Sequence, residues 1–217
     1  MANPGDVSPL TLNRLSVYLR SLRQLIEEGI QRVSSDELAL RFHLSAAQIR
    51  KDLAQFGAFG IRGVGYEVEP LTEHLSGVLG LDHTHPLIIV GMGNLGNAFA
   101  RYLEFNHGAF EVVAAVDHDP AKIGRRVGNI TIEKASRLAS IVNRTHAEIG
   151  VLAVPAGVAQ ENYDALVSAG VRAVLNFAPR RLAVDPSVVT RDVDLRIQLE
   201  ALAFYVTQLR RPEPSGS

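Results

Sequence analysis

Leu12, Leu15, Leu19, Leu22 and Ile26 alternate spacings of three and four residues near the start of the chain. At about 100° per residue they share one stripe, so the pattern predicts an amphipathic helix ending near Gly29. Two further helix starts follow. In Ser34-Ser35-Asp36-Glu37 and Ser45-Ala46-Ala47-Gln48 a serine stands three residues before a Glu or Gln. At that spacing the two side chains can satisfy each other's free backbone amides. The starts lie eleven residues apart, leaving room for a two-turn helix before the chain bends at Arg41-Phe42-His43-Leu44. A short helix, a tight turn and a second helix make the helix-turn-helix layout. The stretch from Gly57 to Tyr66 sets four glycines among apolar residues, which suits a small hairpin, or wing.

Leu81-Asp82-His83-Thr84-His85-Pro86 is polar enough for a domain boundary. Beyond it, apolar runs at 87–90, 110–116, 149–154 and 171–177 alternate with helical segments, one from about Asn94 and one near 158–167. That alternation predicts a parallel sheet. Leu195, Leu199, Leu202, Val206 and Leu209 then repeat at four-three-four-three spacing on a last helix from about Asp194. Such a seam needs a partner, and because the sheet is already complete, a second subunit is expected to supply it. The expected fold is α/β: an N-terminal winged helix-turn-helix over 1–82, a Rossmann-type doubly wound parallel sheet over 83–190, and a dimerisation helix over 191–211.

The run from Leu87 to Val90 enters Gly91-Met92-Gly93-Asn94-Leu95-Gly96, then a helix, then Val112-Val113-Ala114-Ala115-Val116-Asp117. In a dinucleotide fingerprint the first glycine permits the tight turn and the second lets the backbone approach a pyrophosphate. The third allows close helix–strand packing, and the helix start offers free N–H groups to the phosphates. Asp117 falls 21 residues past Gly96, where a carboxylate can accept from ribose hydroxyls and repel a 2′-phosphate. NAD(H) is therefore expected over NADP(H). Lys122 is placed near the adenosine side. Val154-Pro155 and Asn176-Phe177-Ala178 close later strands, and carboxyl ends of strands are where ligands bind in such sheets.

On the helix from Ser45, Ala46, Ile49, Leu53 and Phe56 fall within one arc that must bury, which points Lys51 outward. Gln48 and Gln55 flank it on one side, Ala47, Ala54 and Arg50 on the other. Small residues admit a groove, while Lys and Arg suit guanine and Gln suits adenine. Ser45, Gln48, Arg50, Lys51 and Gln55, with Arg62, Gly63 and Tyr66 of the wing, form the expected DNA-contacting set.

Composition narrows the classes. Of 217 residues, 47% are hydrophobic and 21% charged, the balance of a globular protein. No apolar run approaches the roughly 18 residues of a spanning helix, and the start Met1-Ala2-Asn3-Pro4-Gly5-Asp6 lacks the apolar stretch of a signal peptide, so a cytoplasmic protein is expected. With no cysteine, disulfides, thiolate nucleophiles and zinc-finger ligands are excluded, and redox chemistry would need a bound cofactor. Seven histidines show no metal spacing, so no metal is expected. A net charge of −1 says nothing for nucleic acid, but residues 41–65 hold Arg41, Arg50, Lys51 and Arg62 against Asp52 alone.

With GMGNLG behind SAAQIRKDLAQFG and the wing GIRGVGY, the chain resembles the redox-sensing repressors called Rex over nearly its whole length. The resemblance implies a homodimer with exchanged C-terminal helices, bound to an inverted-repeat operator and released when NADH replaces NAD⁺. It also implies that Arg20, Tyr102 and Asp194 couple the two functions. The main alternative is a small NAD-dependent dehydrogenase, which would need a substrate domain and a general acid or base. The sequence leaves no room for the former, and His107 and His118 are candidates for the latter by type only. A CoA- or nucleotide-binding module without DNA contact is a third class, against which the wing and Lys51 argue.

Overall fold

The computed structural model describes residues 7–57, 59–61, 64–105 and 108–209. It divides into two compact units, Met1–His83 and Thr84–Ser217.

In the first unit, α1 (Pro9–Glu27) starts at Ser8, whose Oγ accepts the Thr11 N–H at 3.1 Å. Leu15, Leu19 and Leu22 are buried as the spacing predicts, but Tyr18 and Leu25 join them while Ile26 is exposed. The stripe drifts because 3.6 residues per turn do not keep a strict repeat of seven. α2 (Ser35–Phe42) and α3 (Ala46–Ala54) begin as expected: Ser34 Oγ accepts from Glu37 N at 3.0 Å and Ser45 Oγ from Gln48 N at 3.4 Å. The return half of each box is spent elsewhere, Glu37 pairing with Arg41 and Gln48 donating to Asp52. His43, at φ 54°, turns the chain between the two helices.

The wing is a three-stranded antiparallel sheet in the order β1 (Arg32–Val33), β3 (Gly65–Glu67), β2 (Gly60–Ile61). Gly65 needs its missing side chain twice over: its φ is +93°, and a Cβ would stand 2.5 Å from the Val33 carbonyl oxygen. The pattern did not foresee α4 (Val68–Val78), which packs on α1 through Val68, Leu71 and Leu75. It starts with no side-chain cap, so the serine-type start signal is absent.

The second unit is a seven-stranded sheet in the order β10 (Val189–Asp192), β9 (Ala173–Asn176), β8 (Ile149–Leu152), β4 (His85–Val90), β5 (Phe110–Asp117), β7 (Ile130–Lys134), β6 (Arg126–Val127). All neighbouring pairs run parallel except β6 with β7. The chain leaves β4 through α5 (Asn94–Phe105) to β5, then passes through α6 (Leu138–Thr145) to β8 on the other side of β4. The winding therefore reverses at β4, the point where such sheets bind ligands. α7 (Ala159–Ser168) joins β8 to β9. β10 carries the sheet to Asp192, two residues past the boundary expected at 190, and His85 and Pro86, expected in a linker, already belong to β4.

α8 (Leu195–Leu209) has no buried residue; Leu195, Leu199, Leu202, Val206 and Leu209 of the predicted seam are all exposed. Among the described residues, no helix is long and apolar enough to cross a membrane.

Candidate nucleotide and nucleic-acid sites

At the end of β4 the chain turns at Gly91, whose φ is +95° and whose added Cβ would lie 2.5 Å from the Ala153 carbonyl oxygen. Gly93 has open space around its Cβ position, as close ligand approach requires. A Cβ on Gly96 would run into the Gly91 carbonyl oxygen, so Gly96 lets α5 rise directly from the turn. Met92 is buried, whereas Asn94 and Leu95 face solvent. Asn97, which the motif does not single out, rivets the loop from within by donating Nδ2 to the Met92 and Gly93 carbonyls at 2.8 Å each.

Asp117 departs from the expectation. Instead of presenting free oxygens to a ribose, its carboxylate is buried and occupied by protein donors. Oδ1 accepts the Asp119 N–H at 2.8 Å, and Oδ2 accepts the Met92 N–H at 2.8 Å and Lys122 Nζ at 2.9 Å. Burial alone would push this carboxyl up; the Asp119 and Met92 amides and the Lys122 ammonium outweigh it and hold it below the ordinary carboxylate value. Asp117 therefore ties the glycine turn to the loop after β5, and Lys122 is drawn onto it. His118 lies exposed beside it, 3.4 Å from Oδ1, while His107 lies outside the described residues.

The later strand ends meet the same region. A Cβ on Gly91 would stand 2.8 Å from Val154 Cγ1, and the exposed Pro155 follows it. Phe177 stacks edge-on against Phe99 of α5 at 5.5 Å. Asn176 is a clip rather than a free contact: its Nδ2 donates to Asp192 Oδ1 at 2.8 Å and its Oδ1 accepts the buried Ala178 N–H at 2.9 Å. A cleft of about 640 Å³ opens here, bringing together Leu95, Asn176, Phe177, Ala178 and Asp194 at the root of α8. Asp194 accepts the Arg196 N–H at 2.9 Å and so starts that helix. Tyr102 is exposed on α5, and Arg20 is exposed on α1 in the first unit.

On α3, Ile49 and Leu53 are buried, and Lys51, Arg50, Gln55, Ala47, Ala54 and Ser45 are exposed. The local basic excess is smaller than the sequence suggests. Arg41 pairs with Glu28 at 2.7 Å and Glu37 at 3.2 Å. Arg50 leans on the start of α2, donating to Ser35 Oγ at 2.6 Å with Asp36 at 3.5 Å. Lys51 has no ion-pair partner among the described residues. Tyr66, expected to face DNA, is a core residue against Gly60, and burial pushes its phenol up. Its pairing with the buried Val33 of β1 puts it on the inner face. Arg62 and Gly63 lie outside the described residues.

Asp52, counted only as a charge in the sequence, is completely buried. Arg14 grips it with Nε at 2.6 Å and Nη2 at 2.8 Å, Tyr18 donates at 2.9 Å and Gln48 Nε2 at 2.7 Å. Burial would raise its pKa, but these donors hold it below the ordinary value. No local spacing signals a partner 38 residues away.

A winged helix-turn-helix followed in one chain by a Rossmann unit with a glycine-rich turn is the build of a nucleotide-responsive transcription regulator. Comparison with known proteins narrows this class. Residues 6–54 match the family model "Putative DNA-binding protein N-terminus" and residues 82–180 match "CoA binding domain". The redox-sensing transcriptional repressor Rex of Chloroflexus aurantiacus is 44% identical over 94% of this chain and 97% of its own. The Rex of Syntrophomonas wolfei is 48% identical over 90% of this chain and 93% of its own. A crystal structure of RSP in complex with β-NAD⁺ and operator DNA superposes with a TM-score of 0.89, at 35% identity, over 94% of both chains. RSP in complex with β-NADH gives 0.85 at 34% identity, over 94% of this chain and 96% of that one. The chain belongs to the Rex family of redox-sensing transcriptional repressors, and this membership decides against the dehydrogenase alternative.

Proposed function

We propose that the protein represses transcription in the cytoplasm by binding an inverted-repeat operator as a homodimer, and that NADH on the Rossmann unit releases it. The observation that carries this reading is the cleft at the root of α8. Leu95 of the glycine turn, the Phe177-Ala178 strand end and Asp194 border the same space, so a nicotinamide seated there meets the start of the helix that a second subunit would cover. Gly91, Gly93, Gly96 and the loop held by Asp117 and Lys122 would cradle the pyrophosphate and adenosine. Arg20, Tyr102 and Asp194 are the proposed coupling set, with Asp194 able to trade its helix-start bond for a cationic or phenolic partner.

The exposed Lys51 on α3, which has no ion-pair partner among the described residues, with Gln48, Gln55 and the wing, would read the groove. NADH acts only through the difference in its affinity for the DNA-bound and released states. Fluorescence anisotropy of the dimer on a palindromic duplex, titrated at fixed salt with NADH and separately with NAD⁺, tests the reading. Dissociation by NADH at concentrations where NAD⁺ is inert supports it; equal indifference to both refutes it. Lys51→Ala is expected to weaken specific binding by about 1–3 kcal/mol, and unchanged affinity on every duplex would remove α3 from the account.

A further inference from the structure

The Asp52 site does more than fasten α1 to α3. Gln48, Lys51 and Gln55 occupy one outward stripe of α3, and Asp52 sits one turn beyond Gln48 on the edge of that stripe. Gln48 is half-buried, and its side chain is bonded to Asp52 Oδ1 at 2.7 Å. A carboxylate only accepts hydrogen bonds, so the carboxamide atom facing it must be the nitrogen. The carboxylate is kept ionised by Arg14 and Tyr18, so this assignment does not depend on a choice of rotamer. With one N–H drawn inward, the amide oxygen of Gln48 accepts no bond from any described residue.

We propose that Asp52 is a positioning residue for base reading: it fixes the Gln48 carboxamide with its oxygen toward the groove, so that Gln48 selects a base offering an exocyclic amine. Adenine offers N6–H₂ and cytosine N4–H₂ in the major groove, whereas guanine and thymine offer O6, N7 or O4 acceptors. On the strand it contacts, Gln48 then prefers A or C over G or T at one position of each half-site. This rests on α3 being the DNA-reading helix.

The chemistry makes a sharp substitution available. In Asp52→Asn the carbonyl oxygen stays at the Oδ2 place, where Arg14 Nε and Tyr18 donate at 2.6 and 2.9 Å; the new NH₂ takes the Oδ1 place facing Gln48, and Arg14 Nη2, which shares Oδ1 with Gln48, keeps Thr11 Oγ1 at 3.2 Å. That NH₂ needs an acceptor, so the Gln48 amide flips and now presents its own N–H to the groove. The base preference should invert.

The test is sequencing of duplexes retained by the full-length protein from a pool of palindromes with randomised half-sites, for wild type, Gln48→Leu and Asp52→Asn. Wild type is expected to favour A or C at one half-site position by about ten-fold. Gln48→Leu loses that preference while the positions read by other side chains stay sharp, and it keeps the Arg14–Asp52 pair, so it remains informative if Asp52→Asn folds poorly. Asp52→Asn shifts the same position toward G or T. The proposal is overturned if Gln48→Leu leaves the preference in place, or if Asp52→Asn weakens all positions equally, the signature of a merely structural role. A wild type that enriches no sequence at all would sink the DNA-reading assignment itself, a result distinct from either.

Discussion

Asp52 and Asp117 are the two buried aspartates among the described residues, one in each unit, and each is held by a basic side chain and further donors. Their partners differ in reach. Asp117 collects the Met92 and Asp119 amides and Lys122, all from the glycine turn and the loop after β5. Asp52 collects Arg14 and Tyr18 from a different helix, 38 and 34 residues away, with Gln48 one turn before it. One carboxylate organises a local loop and the other locks tertiary structure. Loss of the first should therefore damage ligand binding more than the fold, whereas loss of the second should damage the fold of its unit.

The largest expected effect follows from that contrast. Asp52→Ala strips the Arg14 guanidinium and the Tyr18 hydroxyl of a shared acceptor, at a cost of about 3 kcal/mol. Hydrogen exchange should show α1 and α3 losing roughly a hundred-fold protection while the sheet of the second unit is unchanged; protection lost equally in both units would break the comparison. Asp117→Ala is expected to cost less, about 2 kcal/mol, through amides left without an acceptor. It should appear as weaker NADH binding by calorimetry, with operator affinity in the absence of NADH held within two-fold.

Titration sharpens the contrast further. Both carboxyls lie below their ordinary value when folded, so the stability they contribute is present above about pH 4 and is lost as the pH falls below it. Acid should therefore loosen both units. Tyr18 adds a response that the Asp117 site lacks: burial, then the neighbouring carboxylate, pushes its phenol up to about 12. A raised value means stability fully present below the free phenol's value near 10 and lost as the pH climbs to about 12. Stability measured by denaturant unfolding should fall over that window, and Tyr18→Phe should lessen the fall. The same substitution has the smallest expected effect at neutral pH, about 1 kcal/mol for one hydrogen bond. An identical alkaline profile in Tyr18→Phe would assign the response to another group.

What the chain discloses before folding follows the same division. The helix starts at Ser34 and Ser45, the turn at Gly91 and the apolar seam of α8 all depend on residues within a few positions of one another, so their spacing is readable. Asp117 stands out as a candidate because it sits at a set distance from the glycine turn, but its inward orientation depends on Lys122 and two amides that spacing does not predict. Asp52 was invisible because its partner lies on another helix. Tyr66 was misplaced because its strand pairs with Val33 across the wing, and that pairing settles which face is buried. α4 lacked a capping residue to announce it.

The claim that joins the two units is thermodynamic coupling, and it is reciprocal: if NADH weakens operator binding by some factor, the operator must weaken NADH binding by the same factor. The direct measurement is calorimetric titration of NADH into the free protein and into the protein saturated with its operator, alongside operator affinities with and without NADH. The account predicts two equal ratios, both well above one, and both collapsing toward one in Asp194→Ala while NADH still binds. Identical NADH affinity for free and operator-bound protein would contradict it.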